Sequence, residues 1–388
     1  MQKWLLPEYV EDILPVEAAR VEMLRRRILD LFFSHGYEPV IPPMLEFVDS
    51  LLTGTGHDLD LRTFKLVDQV SGRMLGIRAD MTPQVARIDA HLLNRQGVTR
   101  LCYSGTVLHT RPSGLQRSRE LLQIGAEIYG HAGLESDIEI QTLLLRALGA
   151  AGVKALQFDL GHVSIFRSLI GRAGIGTELE SELFQVLQAK DNPGLRSLSS
   201  RLDPMIRDAL LLLPELYGGP EVLQLARRRL PALAEIAGCL DTLEVVGRQL
   251  GTEMGDVCFD LAELRGYHYH SGLVFAAYAG GRRESLARGG RYDDVGKSFG
   301  RARPATGFTM DLRDLVQSTT ESPEPDRILA PYQPGDAALQ KQIEMLRARG
   351  AVVVMDLPGH EASRSELACK FVLMFQDGQW KTAPCDTK

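Results

Sequence analysis

The sequence predicts an α+β protein built on an antiparallel sheet flanked by helices. Short strand-like runs recur with turn signals between them, and helical patterns interrupt these runs at irregular intervals. One long stretch, from about 163 to 250, reads as helical throughout. Strands that do not alternate regularly with helices favour antiparallel pairing over a parallel α/β sheet. We therefore expect six or seven antiparallel strands.

Length and composition limit the possible function classes. A chain of 388 residues with 44% apolar and 24% charged residues can bury a sizeable core and is expected to form two domains. No run approaches the ~18 apolar residues of a membrane span, and the beginning does not resemble a secretion signal, so we expect a cytoplasmic protein. A formal net charge of −6 disfavours a broadly basic, RNA-binding surface. The five cysteines show neither zinc-site spacing nor disulfide density.

The first element is an amphipathic helix over 15–36. Pro15 suits its first turn, Leu24, Ile28 and Phe32 share one face, and Gly36 suits its end. Strand-like runs then follow at 64–68, 72–77, 100–109, 120–129 and 156–160. After the helical stretch, strand character returns at 257–261, 272–278 and 305–310.

The domain organisation follows from these patterns. Residues 1–316 are predicted to form one domain that contains a helical insertion at about 163–250. The polar segment 317–326 contains two prolines and is the best linker candidate. Residues 327–388 are predicted to form a small C-terminal α/β domain. Its expected parts are a strand at 328–330, a helix at 337–349, a strand at 351–356 and a hairpin around Asp377-Gly378.

The most informative candidate site lies in the strand over 120–129. Alternation places Gln123, Gly125 and Glu127 on one face and the apolar residues between them on the other. An amide and a carboxylate with a glycine between them could accept hydrogen bonds from an ammonium or an imidazole N–H. A solvated outer face with a bulge glycine explains the same pattern equally well.

Two further segments contain candidate polar residues. Asp80 and Thr82 stand where a strand leads into a helix, and helix capping accounts for either of them. Arg265 opens an aromatic turn and could grip a carboxylate bidentately. His268 and His270 alternate in that turn, but no acidic or cysteine partner stands at metal-ligand spacing, so we expect no metal.

A fourth segment contains a pair of glycines. Gly289 and Gly290, just before Arg291, permit the backbone to approach a ligand closely, although a plain turn would also use them.

These four segments, in this order, resemble the catalytic domain of class II aminoacyl-tRNA synthetases, specifically the histidyl enzyme, over roughly residues 1–316. The resemblance implies an antiparallel sheet flanked by helices. It also implies that Asp80, Thr82 and Gln123 hold a ligand's α-ammonium, that Glu127 holds its imidazole and that Arg265 holds its carboxylate. The remaining members of the implied histidine-like pocket are Tyr269 and His270, the latter standing where the synthetase has a tyrosine.

The departures from the synthetase pattern concern ATP. His109 stands where the second class motif has the arginine that clamps the α-phosphate. Asp314 stands where the third motif has the arginine that steadies the γ-phosphate. Losing one such cation typically costs ~10²-fold or more in rate. The sequence therefore predicts that no aminoacyl adenylate is formed, and it implies no cofactor.

The C-terminal region departs as well, because about sixty residues are too few for the synthetase's anticodon-binding domain. The whole chain resembles the regulatory subunit of the short-form ATP phosphoribosyltransferase of histidine biosynthesis. That resemblance implies a non-catalytic chain that assembles with a short catalytic chain into a hetero-octamer, activates it and conveys feedback inhibition by histidine. It also implies self-association as a dimer, without tRNA or membrane binding.

Three alternatives stay open. The chain could be an active histidyl-tRNA synthetase, against which His109 and Asp314 speak. It could be a synthetase-like sensor of uncharged tRNA, which would need a basic C-terminal surface. It could be the phosphoribosyltransferase itself, because residues 352–356 faintly resemble a strand leading to a diphosphate-binding loop. The paired acids and the glycine-rich loop of such a site are missing.

Overall fold

The computed structural model describes residues 4–54, 57–112, 118–254, 257–319 and 326–385. The chain divides into two compact units, Met1–Thr320 and Glu321–Lys388. Of the expected linker, residues 320–325 lie outside the described residues, while 317 and 318 belong to a helix.

Twelve strands are described in the first unit. They are β1 Glu38–Pro39, β2 Leu45–Phe47, β3 Phe64–Val67, β4 Met74–Ile77, β5 Thr99–Leu108, β6 Glu120–Tyr129, β7 Leu156–His162, β8 Tyr217–Gly218, β9 Val257–Asp260, β10 Leu273–Ala279, β11 Ala287–Arg291 and β12 Ala305–Asp311. Strands β2, β4 and β3 form a small separate sheet, and the other nine form one large sheet in the order β1-β5-β6-β12-β11-β10-β7-β9-β8.

The large sheet is wider and more mixed than the sequence indicated. Its six central strands, β5-β6-β12-β11-β10-β7, are antiparallel throughout. Near its ends, β1 pairs with β5 and β9 with β7 in parallel. A parallel pair needs a long connection, and both pairs have one, because about sixty residues separate β1 from β5 and the helical insertion separates β7 from β9. The expected run 64–77 pairs within the small sheet instead.

The same unit contains twelve α-helices in its described residues. They are α1 Pro15–Ser34, α2 Val48–Leu51, α3 His57–Arg62, α4 Thr82–Arg87, α5 Leu134–Ala150, α6 Val163–Ala173, α7 Thr177–Gln188, α8 Asn192–Ser199, α9 Pro204–Leu212, α10 Glu221–Arg229, α11 Ala234–Met254 and α12 Leu312–Ser318. The predicted first helix is confirmed, and its face at Leu24, Ile28 and Phe32 is buried. Helices α6 to α11 occupy the predicted insertion.

One face of the large sheet carries the main core. Ile124, Ala126 and Ile128 on β6 and Phe158 and Leu160 on β7 are almost completely buried in it. Helices α1, α5 and α11 contribute the opposing apolar side chains. The polar residues that alternate with these strand positions therefore project from the other face, which is where the candidate site lies.

The C-terminal unit is a small α/β fold. It contains β13 Arg327–Pro331, α13 Ala337–Ala348, β14 Val352–Asp356, β15 Phe371–Gln376 and β16 Gln379–Pro384, with strand order β14-β13-β15-β16. The predicted hairpin is present: Asp377 and Gly378 both have positive φ, 50° and 78°, as a two-residue turn of this kind requires. Ile328, Leu339 and Leu373 lie in its own core.

Candidate functional site

The polar face of β6 is buried inside a pocket. Gln123 is 8% exposed and Glu127 only 1%. The interpretation of this face as a solvated outer surface is therefore wrong. Gly307 on β12 stands opposite Glu127, and Tyr103 on β5 stands opposite Gly125. Because glycines occupy two of these facing positions, large groups on the neighbouring strands can approach the floor of the pocket.

The carboxylate of Glu127 is held by two tyrosines. The Tyr103 hydroxyl donates to Oε1 at 2.9 Å, and the Tyr292 hydroxyl donates to Oε2. Burial raises the pKa of Glu127 to about 8, although both tyrosine hydrogen bonds act to lower it. The side chain therefore gains or loses a proton near neutral pH.

A chain of hydrogen bonds joins Asp80, Thr82 and Gln123. Gln123 Nε2 donates to Asp80 Oδ1 at 2.8 Å, and Gln123 Oε1 accepts from the Met81 backbone N–H at 2.9 Å. The backbone N–H of Thr82 also donates to Asp80 Oδ1, so Asp80 serves the start of α4 as well as the pocket. The Thr82 hydroxyl lies 3.0 Å from the Tyr103 hydroxyl. This chain connects three predicted site residues to the Glu127 cluster.

Aromatic rings line the same pocket. The ring of Tyr269 lies 4.9 Å from that of Tyr292, which meets Tyr129 edge to face. The Tyr269 hydroxyl is buried and finds no hydrogen-bond partner among the described residues. A buried hydroxyl without a partner is costly, which points to a polar ligand atom at this place. Glu127 and Asp80 are near enough to raise the pKa of Tyr269, after the effect of burial.

Three tyrosines of the pocket were not among the predicted site residues. Tyr103, Tyr129 and Tyr292 come from β5, the end of β6 and the residue after β11. Tyr292 stands in the glycine segment singled out above, but its side chain was not assigned a role. The signal for Tyr103 was its register opposite Gly125, which requires the strand pairing to be known.

Arg265 and His270 occupy the margin of the site. The Arg265 guanidinium donates to the Tyr278 hydroxyl at 2.9 Å and lies 3.8 Å from Glu263. Within the described residues, no hydrogen bond or ion pair joins Arg265 to Glu127. Burial works to lower the pKa of Arg265, but Glu263 and Tyr278 outweigh it and the net pKa is raised.

His270 packs on backbone. A Cβ at position 290 would lie 2.5 Å from its Cδ2, so only glycine fits there. Its Nδ1 lies 3.2 Å from the Gly266 carbonyl, and burial lowers its pKa to about 4. His268 instead contacts the ring of Phe184. No group of three or more metal-ligating side chains occurs in the part of the chain that the structure describes.

The two positions expected to hold ATP clamps carry no permanent cation. His109 is buried with Nε2 2.9 Å from the Ala79 carbonyl, and burial lowers its pKa. Asp314 lies 3.5 Å from Arg282, and burial, with repulsion from Asp311, raises its pKa to about 6. The neighbouring Arg313 is paired with Glu11. This arrangement agrees with the prediction that positive charge is missing at both places.

A cleft of about 340 Å³ lies beside this pocket. Its lining includes Asp159 on β7, Asp260 on β9 and Tyr278 on β10, together with Glu263 and Arg265. The lining is mostly polar and carries both signs of charge. Arg265 thus stands at the edge of a second space on the open side of the sheet.

Comparisons with known proteins cover the whole chain. Residues 9–315 match the family described as histidyl-tRNA synthetase, and residues 325–383 match the ATP phosphoribosyltransferase subunit HisZ C-terminal domain. The ATP phosphoribosyltransferase regulatory subunit of Nitrosospira multiformis is 57% identical over 99% of this chain and 98% of its own length. That of Methylobacillus flagellatus is 58% identical over 98% of each chain.

The chain belongs to the family of ATP phosphoribosyltransferase regulatory subunits.

Solved structures agree with this membership. An ATP phosphoribosyltransferase regulatory subunit/histidyl-tRNA synthetase from Bacillus halodurans superposes with a TM-score of 0.83 at 26% identity, covering 95% of this chain and 97% of the other. A histidyl-tRNA synthetase from Nostoc sp. shares the fold, with a TM-score of 0.79 at 17% identity, covering 100% of this chain and 98% of the other. The predicted class II synthetase-like fold is confirmed. So is the resemblance to the regulatory subunits of histidine biosynthesis.

The regulatory-subunit family accounts for the combination of features seen here. A synthetase-like pocket is present in the first unit, and the second unit matches a domain that carries the family's own description. In the described residues, no helix is long and apolar enough to cross a membrane.

Proposed function

We propose that this chain is the regulatory subunit of a short-form ATP phosphoribosyltransferase, required for the activity of the catalytic chain and for its feedback inhibition by histidine. Family membership supports the regulatory role. The observation that carries the proposal is an intact pocket around the buried Glu127, next to two positions, His109 and Asp314, that lack the cations needed for ATP chemistry. Such a site can bind an amino acid without activating it.

The proposed ligand is histidine, held by the cluster described above. Its α-ammonium would meet Asp80, Thr82 and Gln123, and its imidazole would meet Glu127 and the unpartnered Tyr269 hydroxyl. A carboxyl group with a pKa of about 8 changes its protonation at little cost, so it can meet either an imidazole or an imidazolium. Arg265 would provide charge for the carboxylate.

We propose no aminoacylation activity for this chain. Adenylate formation develops negative charge on phosphate oxygens, and neither a buried neutral histidine nor an aspartate stabilises it. Histidine-dependent ATP–pyrophosphate exchange is expected to be absent. Exchange above the background of a blank preparation would favour the synthetase alternative.

The proposed assembly is a cytoplasmic hetero-octamer with the catalytic chain, built on dimers of this chain. Feedback needs a coupling of only about 1–3 kcal/mol between the two sites. A small change in packing between the chains on histidine binding would therefore suffice. Mass measurement of the purified mixture tests the stoichiometry.

The experiment that tests the proposal is an ATP phosphoribosyltransferase assay of the cognate short catalytic chain, with and without this protein, each titrated with histidine. We expect activity that depends on this chain and that histidine inhibits only when it is present. Glu127→Gln should weaken histidine inhibition while preserving activation. Glu182→Gln, an exposed position on α7, is the matched control and should behave as the wild type.

Two results would contradict the proposal in different ways. Unchanged activity of the catalytic chain, with no complex on gel filtration, would exclude the regulatory role. Normal inhibition by histidine in Glu127→Gln would keep the regulatory role but move the effector site away from this pocket.

A further inference from the structure

Arg288 stands at the centre of the open face of the large sheet. Strand register places it between Thr309 on β12 and Ala276 on β10. The same row continues through Gly125 to Tyr103 on one side and to Asp159 on the other. Arg288 therefore lies between the Glu127 pocket and the polar cleft, and its neighbours in the row are small.

The guanidinium of Arg288 has no partner. In the described part of the chain, neither a hydrogen bond nor an ion pair engages it, and the buried Thr309 hydroxyl beside it also lacks a partner. Burial and then the charges of Arg265 and Arg62 lower the pKa of Arg288, against weaker attraction from Tyr278 and Glu263. Cations thus face each other across this part of the cleft.

Other arginines around the sheet are used differently. Arg291, three residues further along, is buried against Asp137 at 2.6 Å. Arg303 makes a buried bidentate contact with Asp89. These two arginines hold the fold together, and each has its carboxylate. Arg288 is instead a forked donor on the floor of an open cleft, which is the group that proteins use to bind carboxylates and phosphates.

We propose that Arg288, together with Arg265, forms an oxyanion site for a small ligand whose remaining part occupies the Glu127 pocket. Two strand spacings, about 10 Å, separate β6 from β11. A small ligand and the long arginine side chain can together span that distance. The anion is a carboxylate or a phosphate. The carboxylate form of the inference rests on the proposed function, because it assigns the histidine carboxylate to Arg288 as well as to Arg265.

The test is isothermal titration of the full chain with three probes: L-histidine, L-histidinol, which has a hydroxymethyl group in place of the carboxylate, and inorganic phosphate. The variants are Arg288→Gln and Arg288→Lys. Arg248→Gln, an exposed position on α11, is the matched control for loss of one positive charge. Thermal unfolding checks that each variant folds, which we expect because Arg288 makes no internal contact that its loss would break.

The expected result is a difference between probes. Wild type should bind histidine about tenfold or more tightly than histidinol, since a charge-assisted hydrogen bond is lost with the carboxylate. Arg288→Gln should abolish that preference, Arg288→Lys should retain part of it, and the control should keep it all. An equal loss of affinity for both probes, or no loss for either, would overturn the carboxylate assignment.

The phosphate arm separates this inference from the proposed function. If wild type binds no histidine but binds phosphate, and Arg288→Gln abolishes the phosphate binding, the oxyanion site stands and serves a phosphorylated ligand. If wild type binds neither probe, or if Arg288→Gln binds phosphate as the wild type does and shows no selective loss for histidine, the oxyanion site is refuted.

Discussion

The carboxylate of Glu127 lies directly over the Cα of Gly307, so that a Cβ at position 307 would stand 1.5 Å from Glu127 Oε2. The two residues face each other across β6 and β12. Any side chain at position 307 must therefore displace the acid that the two tyrosines hold. This contact makes a glycine on one strand a condition for the pocket on the next.

Gly307→Ala is expected to disturb the pocket and the fold together. Overpacking of a closed site typically costs about 1–3 kcal/mol of unfolding free energy. Urea denaturation measures this loss, and titration with histidine should show weaker binding. Gly149→Ala on α5 is the control, because its Cβ would meet nothing within 4 Å, and it should be neutral or stabilising by up to about 1 kcal/mol. Unchanged stability in Gly307→Ala would contradict the close contact.

Glu127 is expected to make stability depend on pH. Its folded-state pKa is raised from 4.5 to about 8, so its stabilising contribution is complete below about pH 4.5 and is lost as the pH rises toward 8. The unfolding free energy of the wild type, relative to Glu127→Gln, should therefore fall between these values by at most about 1.4 kcal/mol per pH unit. Denaturation of both proteins across this range measures the difference. A difference that stays constant with pH would show that the folded-state pKa is ordinary.

Tyr269→Phe should separate stability from binding. The hydroxyl that it removes is buried without a partner, so the unfolding free energy of the ligand-free protein should stay the same or rise by about 1 kcal/mol. Histidine affinity should fall by about three- to tenfold, because one hydrogen bond to the ligand is lost. Tyr332→Phe, at an exposed position in the C-terminal unit, serves as control. Unchanged affinity would mean that the hydroxyl does not face the ligand.

Asp137→Ala should destabilise the first unit strongly. Asp137 and Arg291 form a buried pair with an N–O distance of 2.6 Å, and removal of the acid leaves the guanidinium buried without its charge partner. Breaking such a pair typically costs about 3–5 kcal/mol. Replacement of both partners, as in Asp137→Leu with Arg291→Met, should restore much of the loss. If the double variant is as unstable as the single one, the unpaired charge is not the cause.

Much of the local structure could be predicted from the sequence. The period of Leu24, Ile28 and Phe32 was sufficient for α1, and Asp377-Gly378 was sufficient for the C-terminal hairpin, because each pattern acts over a few neighbouring residues. The alternation of Gln123 and Glu127 with apolar residues also assigned their face correctly.

Sequence patterns did not show which strands pair. The run at 64–77 reads like any other strand pair, yet it forms a small sheet of its own with β2. The parallel pairs near the ends of the large sheet arise from long connections. Pairing of this kind depends on packing between distant segments, which a local pattern does not contain.

The sequence by itself determined that a carboxylate and an amide share one strand face and that His109 and Asp314 replace cations. Only the tertiary structure decided that this face is buried, that Tyr103 and Tyr292 converge on Glu127, and that Arg288 stands unpaired in the cleft. The physical reason is distance along the chain: Tyr292 is 165 residues from the acid to which it donates. Contacts of that range are set by how strands order themselves around a common core.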